Sequence, residues 1–269
     1  MSKAPPDRDV GLGTAYERLA IYRRLARWFE GGVATAAEGP VDGFAGIGGL
    51  HLLPLARRGC RVTVCASDAR ALDAVAAAYR HAGALDRLTL FQGERLPDER
   101  FDLVLDFNGL PHVENWRAHL GMLAARAREL VVFVTYPFSY GAFVSRALSL
   151  LERGPRAPRQ YQHETTLASR LVPELERLGR IRERAWVDCP WWPDLFVQPG
   201  ATLAQELRDR LHLRLPAPSP RFVYPADSFP YGGDPPSELV RALGRHPAFD
   251  DSVVAPVFAH HRAYRVLVD

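Results

Sequence analysis

The chain has 269 residues, 47% of them hydrophobic, and a formal net charge of +3. This length is typical of one large domain that buries roughly 75% of its unfolded surface, and so small and dispersed a charge argues against a nucleic-acid partner. Lys3 is the only lysine, which excludes P-loop and Schiff-base chemistry because both require a lysine in the site.

The chain is predicted to begin with a flexible leader and a helix. Residues 1–13 contain proline and aspartate but no apolar run of the kind found in signal peptides or membrane spans. We therefore expect a cytoplasmic protein without a membrane partner. Thr14 and Glu17 have the spacing of a capping box at the start of the helix, and Gly31 and Gly32 are expected to end it.

Strand-like and helix-like segments alternate from residue 33 to residue 136. The five predicted strands are Val33–Glu38, Arg61–Ala66, Arg87–Gln92, Phe101–Asn108 and Glu129–Tyr136. The helices predicted among them are Gly46–Arg58, Ala69–His81 and Trp116–Ala127. Because apolar strands separated by helices form parallel sheets covered on both faces, this order predicts an α/β fold whose post-strand loops share one edge.

The pattern changes after residue 136. Two further helices, Gly141–Glu152 and Thr166–Leu178, and two further strands, Ile181–Cys189 and His261–Val268, are predicted. Between these strands, residues 191–256 are rich in proline and aromatic residues. A long insertion of this kind in a compact domain is usually functional or disordered, and its aromatic content argues against disorder. We predict that it forms a cap over a binding site.

A glycine-rich loop, Glu38–Gly49, connects the first predicted strand with the next helix. Glycines let the backbone turn sharply and approach a ligand, and the N-terminus of a helix supplies free amides. A tight turn without a ligand is the alternative explanation. The loop does not supply the G-x-G-x-x-G pattern of dinucleotide-binding proteins in register, so a dinucleotide is disfavoured as the ligand.

Four short motifs together resemble class I methyltransferases that use S-adenosylmethionine (SAM). They are the loop with its acid and glycines, Arg57–Gly59 before the second strand, Gln92–Pro97 leading into Phe101–Val104, and Leu110–Val113. The resemblance implies a three-layer, doubly wound, Rossmann-like methyltransferase fold over residues 14–269. Its seven-stranded sheet would be mostly parallel, with a C-terminal insertion before an antiparallel last strand.

The resemblance also implies which residues bind SAM. Glu38 or Asp42 would lie on the ammonium side, with Gly43, Gly46 and Gly48 in the loop. The other candidates are Asp68 for the ribose, Glu94 for the adenine, and Asp106 with Asn108 near the sulfonium methyl group. Two departures stand out, because Phe44 occupies the position of the first family glycine and Ala66 that of the ribose-binding acid. Asp68 as a helix cap, and Asp106 and Asn108 as turn-forming residues, are the alternative interpretations.

The acceptor side of the site is predicted from histidine and aromatic residues. His112 is the first candidate for a general base, which is needed only where the acceptor must lose a proton, and Tyr136 is the second. Tyr140, Trp191 and Trp192 are candidates for lining an acceptor pocket, although such aromatics also pack simply to fix loops.

These residues predict a SAM-dependent methyltransferase that acts on a small-molecule acceptor. The alternative is a protein with the same fold that does not methylate and serves in binding, in assembly or in other SAM-site chemistry. No metal site is expected, because the adjacent His260 and His261 show no second group of ligands in the sequence.

Overall fold

In a computed structural model of the chain, residues 12–40, 49–149, 161–191, 241 and 248–269 are described, with side chains from residue 16 onward and none for residues 145–149. The described strands form one sheet in the order β3-β2-β1-β4-β5-β7-β6. They are β1 (Thr35–Glu38), β2 (Arg61–Ala66), β3 (Leu88–Gln92), β4 (Phe101–Phe107), β5 (Ala127–Thr135), β6 (Gly179–Val187) and β7 (His261–Val268). Only β7 runs against the others, since it is antiparallel to both β5 and β6.

The helices among the described residues are α1 to α7. They are α1 (Leu12–Trp28), α2 (Leu53–Ala56), α3 (Ala69–His81), α4 (Trp116–Ala125), α5 (Tyr140–Ser149), α6 (Ala168–Leu178) and α7 (Ala255–Phe258). Short 3-10 turns cover Leu85–Arg87, Leu110–His112 and His163–Thr166. Within the described part of the chain, no helix has both the length and the apolar character needed to cross a bilayer.

Helices cover the sheet on both faces. Successive residues of a strand point to opposite faces, and Ala36 and Ala37 of β1 accordingly belong to two different hydrophobic clusters. The first cluster packs the sheet against α1, α2 and α3, and the second packs it against α4 and α6. The predicted three-layer, doubly wound architecture with an antiparallel last strand is confirmed.

One predicted helix is much shorter than expected. The sequence predicts one helix over Gly46–Arg58, but among the residues of this segment that the structure describes, from 49 onward, only Leu53–Ala56 is helical. Pro54 explains the late start, because proline has no amide hydrogen and is tolerated only in the first turn of a helix. Gly179 directly follows α6 and is the first residue of β6.

Most of two predicted segments lies outside the described residues. These are the leader, residues 1–13, and the insertion, residues 191–256, of which only 191, 241 and 248–256 are described. At the ends of that insertion, Pro190 forms an isolated antiparallel bridge with Ala248. Buried Cys189, Ala255 and Ala259 form a small separate core beside it. The cap formed by the insertion therefore stays a prediction.

Candidate functional site

The carboxyl ends of the parallel strands and the amino end of β7 share one edge of the sheet. β1 lies between β2 and β4, and Glu38 at its end pairs in register with Val64 and Leu105. The chain winds in opposite directions on the two sides of β1, and open α/β sheets bind their ligands at such a switch point. The reversed β7 brings His261 to the same edge, opposite Thr135 of β5.

Glu38 is a buried acid with one oxygen held by the protein. Its side chain is almost fully buried, and its Oε1 accepts hydrogen bonds from the amide of Gly49 (3.1 Å) and from Nδ1 of His51 (2.5 Å). Its Oε2 is buried and has no hydrogen-bond partner among the described residues. Because a buried carboxylate oxygen without a partner is costly, this atom is suited to a ligand that donates a hydrogen bond or carries a positive charge.

His51 connects Glu38 with α1. The guanidinium of Arg18, which can only donate, contacts Nε2 of His51, so this nitrogen accepts and Nδ1 carries the proton that is donated to Glu38. Burial and the Arg18 charge lower the pKa of His51, and the opposing effect of Glu38 is smaller. The ring, whose centroid is 4.1 Å from that of Phe107, is therefore neutral and fixed in one tautomer.

Glycines hold the backbone on both sides of the glycine-rich loop. Gly39 has a φ of +128°, and a Cβ there would lie 2.4 Å from the carbonyl oxygen of Cys65. Gly49 has a φ of +80°, and its Cβ would lie 2.6 Å from Cγ1 of Val64. Both positions therefore require glycine, because any side chain would collide with β2.

Four of the predicted loop residues cannot be placed, because they lie outside the described part of the chain. They are Asp42, Gly43, Gly46 and Gly48. Glu38 is the acid that ends β1, whereas the choice between Glu38 and Asp42 for the ammonium side of SAM stays open.

Asp68 and Glu94 follow β2 and β3 at the same edge of the sheet. Asp68 is exposed and accepts a hydrogen bond from the amide of Arg70 (2.9 Å), so it is the N-cap of α3. Glu94 is exposed and follows Gly93, whose amide bonds to the carbonyl of Ala66 (2.9 Å). The capping role of Asp68 is observed, and the SAM-binding roles of both acids stay predictions.

Asp106 holds the turn that follows β4. Its buried Oδ2 accepts hydrogen bonds from the amides of Gly109 (3.2 Å) and Leu110 (3.3 Å), as expected for a turn-forming residue. His112 lies on this turn, and its exposed ring meets the ring of Tyr161 edge-on at a centroid distance of 5.3 Å. The turn therefore places His112 at the ligand-binding edge, on the α4 side of β4.

The aromatic candidates lie after β5. Tyr136 is half-buried, its ring lies 4.5 Å from that of Trp186, and the guanidinium of Arg262 lies 4.9 Å from its centroid. Tyr140 donates a hydrogen bond from its hydroxyl to the carbonyl of Trp191, and burial raises the pKa of Tyr140. The structure thus brings Tyr140 and Trp191 together, while Trp192 lies outside the described residues.

A second polar cluster lies at this edge and consists of Asn108, Asp188, His260 and His261. Of these four residues, only Asn108 was predicted to belong to the site. Asn108 and Asp188 follow β4 and β6 with φ values of 52° and 59°, which are unusual for residues other than glycine. Nδ2 of Asn108 lies 3.0 Å from Nε2 of His261, and Oδ2 of Asp188 accepts from Nδ1 of His260 (2.9 Å). Burial and the neighbouring His260, His51 and Arg18 lower the pKa of His261 to about 3.

One sequence signal could have revealed this cluster. The last strand was predicted to be antiparallel, and the amino end of a reversed strand lies at the edge where the parallel strands end. The direction of that strand would have placed His260 and His261 at this edge, together with the residue that follows β6.

No known family model matches the sequence, and no curated protein matches it. Solved structures do match. They include the [4+2]-cyclase SpnF (16% identity, 98% of this chain and 89% of that chain, TM-score 0.54), YjhP from E. coli (13%, 96% and 99%, 0.50) and a SAM-dependent methyltransferase from Thermotoga maritima, a possible histamine N-methyltransferase (13%, 96% and 92%, 0.50).

The chain has the fold of a SAM-dependent methyltransferase. At 13–16% identity these structures establish the fold and not the activity. The chain spans 36% of coclaurine N-methyltransferase and 51% of one structure of the N-terminal domain of EvdMO1.

Proposed function

We propose that the protein is a methyltransferase that binds SAM at the carboxyl edge of β1 and transfers its methyl group to a small-molecule acceptor. The observation that carries this proposal is the buried Oε2 of Glu38, which has no hydrogen-bond partner among the described residues. SAM presents an ammonium group that would satisfy this oxygen, and charge-assisted hydrogen bonds of this kind are strong ones. Gly49 and His51 hold the other oxygen, so the carboxylate is oriented before the ligand arrives.

The remaining predicted contacts follow the order of the strands. Asp68 after β2 would hold the ribose hydroxyls, and Glu94 after β3 would lie beside the adenine. Asp106 and Asn108 at the end of β4 would lie near the sulfonium, with Asp106 acting through the turn that it holds. Gly43, Gly46 and Gly48 would allow the loop to approach the ligand closely. Asp42 remains the alternative to Glu38 on the ammonium side.

The acceptor would enter beside β4 and β5. SAM supplies an electrophilic methyl group, so the protein mainly has to align the acceptor and exclude water. Tyr140, Trp191 and Trp192 are proposed to line the acceptor pocket, and the insertion, residues 191–256, is proposed to cover it. His112 and Tyr136 are the candidates for accepting a proton from the acceptor. The exposure of His112 suits this role, because its ring can exchange protons with water.

The second candidate is a SAM-fold protein that does not methylate. It is favoured by the similarity to a structure described as a [4+2]-cyclase and by Ala66 at the end of β2, where the family carries an acid. The two candidates differ in turnover and not in fold. Formation of S-adenosylhomocysteine (SAH) with any acceptor would identify the methyltransferase, whereas tight SAM binding without SAH formation across acceptor panels would favour the second candidate.

A pair of carboxylate variants tests the proposed site. Glu38→Gln removes the charge but keeps the shape of the side chain, and we expect SAM affinity to fall about tenfold to a hundredfold, since a charge-assisted hydrogen bond contributes roughly 1.5–3 kcal/mol. Glu99→Gln is the matched control, because Glu99 is exposed and lies just before β4, at the opposite edge of the sheet. Calorimetric titration measures both. Equal affinities in the two variants would exclude Glu38 from the site.

A further inference from the structure

Three potential metal ligands from distant parts of the chain meet beside the end of β4. They are Glu17 on α1, Asp188 after β6 and His261 at the start of β7, and each offers one ligand atom within 4.8 Å of the other two. Asp188 and His261 are buried, and the Glu17 side chain is only 13% exposed. The sequence showed no second group of ligands near His261, whereas the fold brings one to it.

The separations between these atoms suit a metal ion. Nδ1 of His261 lies 3.8 Å from Oδ2 of Asp188, and the ligand atom that Glu17 offers lies within 4.8 Å of those of the other two residues. Ligands about 2.0–2.2 Å from a divalent ion lie roughly 3.0–4.3 Å from one another in tetrahedral or octahedral geometry. The 3.8 Å separation between Nδ1 of His261 and Oδ2 of Asp188 is too long for a direct hydrogen bond, and it lies within the range that a shared ion requires.

A second, independent observation points to a ligand at this position. The side chain of His261 is only 6% exposed, and its buried Nδ1 has no hydrogen-bond partner among the described residues. Buried polar atoms usually have a partner. This nitrogen lies 3.8 Å from Oδ2 of Asp188, which is too far for a direct hydrogen bond. An ion held between the two would satisfy this nitrogen.

Asn108 can act as the supporting partner of His261. The imidazole that binds a metal through one nitrogen usually donates from the other to a carbonyl or carboxylate. The carboxamide of Asn108 faces Nε2 of His261 at 3.0 Å and the Thr135 hydroxyl at 3.2 Å. In the structure Nδ2 of Asn108 faces Nε2 of His261 and Oδ1 accepts from the Thr135 hydroxyl. Metal binding through Nδ1 therefore requires the carboxamide to turn over, so that Oδ1 accepts from Nε2, Nδ2 donates to Thr135 and the Nδ1 lone pair faces the cluster. His260 similarly donates to Asp188 (2.9 Å) and orients that carboxylate.

We propose that Glu17, Asp188 and His261 form a binding site for a divalent transition-metal ion. Two carboxylates and one imidazole make a mixed oxygen and nitrogen ligand set, which suits Mn²⁺ or Zn²⁺ better than Mg²⁺ or Ca²⁺. The ion ties α1 to the ends of β6 and β7. This inference goes beyond the proposed function, because the site is made of residues that take no part in holding SAM.

Manganese alone serves as the probe. The full-length protein, treated with EDTA and dialysed, is titrated with Mn²⁺ in the absence of SAM, and free Mn²⁺ is followed by electron paramagnetic resonance. We expect one site per chain. Glu17→Gln and His261→Ala should each weaken the affinity at least about tenfold, because each removes a ligand. His81→Ala, an exposed histidine at the end of α3, should leave it unchanged.

Two outcomes would overturn the metal site. One is the absence of stoichiometric Mn²⁺ binding at millimolar concentrations. The other is binding that is unaltered in both Glu17→Gln and His261→Ala. Glu17→Gln is the safer variant for folding, since it keeps the size of a partly exposed side chain. Because SAM is absent throughout, neither result depends on whether the protein is a methyltransferase.

Discussion

Arginine cannot accept a hydrogen bond, and this property determines the protonation pattern of the buried chain Arg18–His51–Glu38. Arg18 contacts Nε2 of His51, so the single proton of the neutral ring lies on Nδ1 and is donated to Glu38. The carboxylate is thereby held through one oxygen while the other stays available. The orientation of Glu38, which we propose binds SAM, thus depends on Arg18 and His51.

The buried His51 predicts a loss of stability at mildly acidic pH. Its pKa is lowered in the folded protein, so the unfolded chain binds more protons below the ordinary histidine pKa of about 6.5. The free energy of unfolding should therefore fall as the pH drops below about 6.5, by up to roughly 1.4 kcal/mol per pH unit for this group. Urea unfolding between pH 5 and pH 7, with EDTA present, measures the slope.

Two glutamine variants separate His51 from other titrating groups. His51→Gln keeps a donor near Glu38 but cannot titrate, so its stability should depend less steeply on pH than that of the unmodified protein. His81→Gln changes an exposed histidine and should leave the slope unaltered. An unchanged slope in His51→Gln would show that this histidine binds the same number of protons in the folded and unfolded states, contrary to the prediction.

Residue roles could be predicted from the sequence only where a local pattern decides them. Asp68 caps a helix and Asp106 holds a turn, as the alternative interpretations stated, because both roles depend on neighbours within four residues. Arg18, His51 and Glu38 come together only through the packing of α1 against the sheet edge. No spacing in the sequence announces such a contact, so neither Arg18 nor His51 was predicted.

At the scale of elements, the end of β1 is where backbone geometry is most constrained. We expect Gly39→Ala to destabilise the protein by roughly 2–3 kcal/mol, because its Cβ would meet the Cys65 carbonyl and its φ is strongly positive. Gly121→Ala in α4 is the matched control. A Cβ there meets nothing within 4 Å, so it should be neutral or stabilise by up to about 1 kcal/mol. Thermal and urea unfolding measure both variants.

The stabilities of Gly39→Ala and Gly121→Ala together test whether the backbone after β1 is constrained. Equal stability of Gly39→Ala and Gly121→Ala would mean that the turn after β1 can relax away from β2. The constraint on the backbone next to Glu38 would then not exist. A loss of stability in Gly39→Ala but not in Gly121→Ala would establish that the backbone after β1 is held in the conformation that requires glycine at position 39.

The order and direction of the elements followed from hydrophobic patterning, whereas their exact ends did not. Apolar strands such as β4 and β5 were evident, and the reversed β7 was expected from the resemblance alone. The helix predicted over Gly46–Arg58 is shorter within the described residues, where it covers Leu53–Ala56, because the apolar residues around Leu52 fit a helix or a turn equally well. Pro54 is tolerated only in the first turn of a helix, so its position indicates that the helix begins close to Leu53.

At the scale of the whole molecule, the two hydrophobic clusters build opposite faces of the sheet and leave its edge for polar residues. α1 lies on the first face and supplies Arg18 and Glu17 to that edge. Glu38 and the proposed metal site therefore share one helix as a neighbour. A ligand at either position would stabilise the same contact between α1 and the strand ends.

Titration of the purified full-length protein with SAM and with SAH tests the central claim most directly. The account predicts saturable binding of one molecule per chain and a rise in the melting temperature. At a concentration about 100 times the Kd, the free energy of unfolding should increase by roughly 2.7 kcal/mol if the unfolded chain does not bind. No heat of binding and no change in melting temperature at millimolar SAM and SAH would contradict the account, and would leave a methyltransferase fold without its ligand.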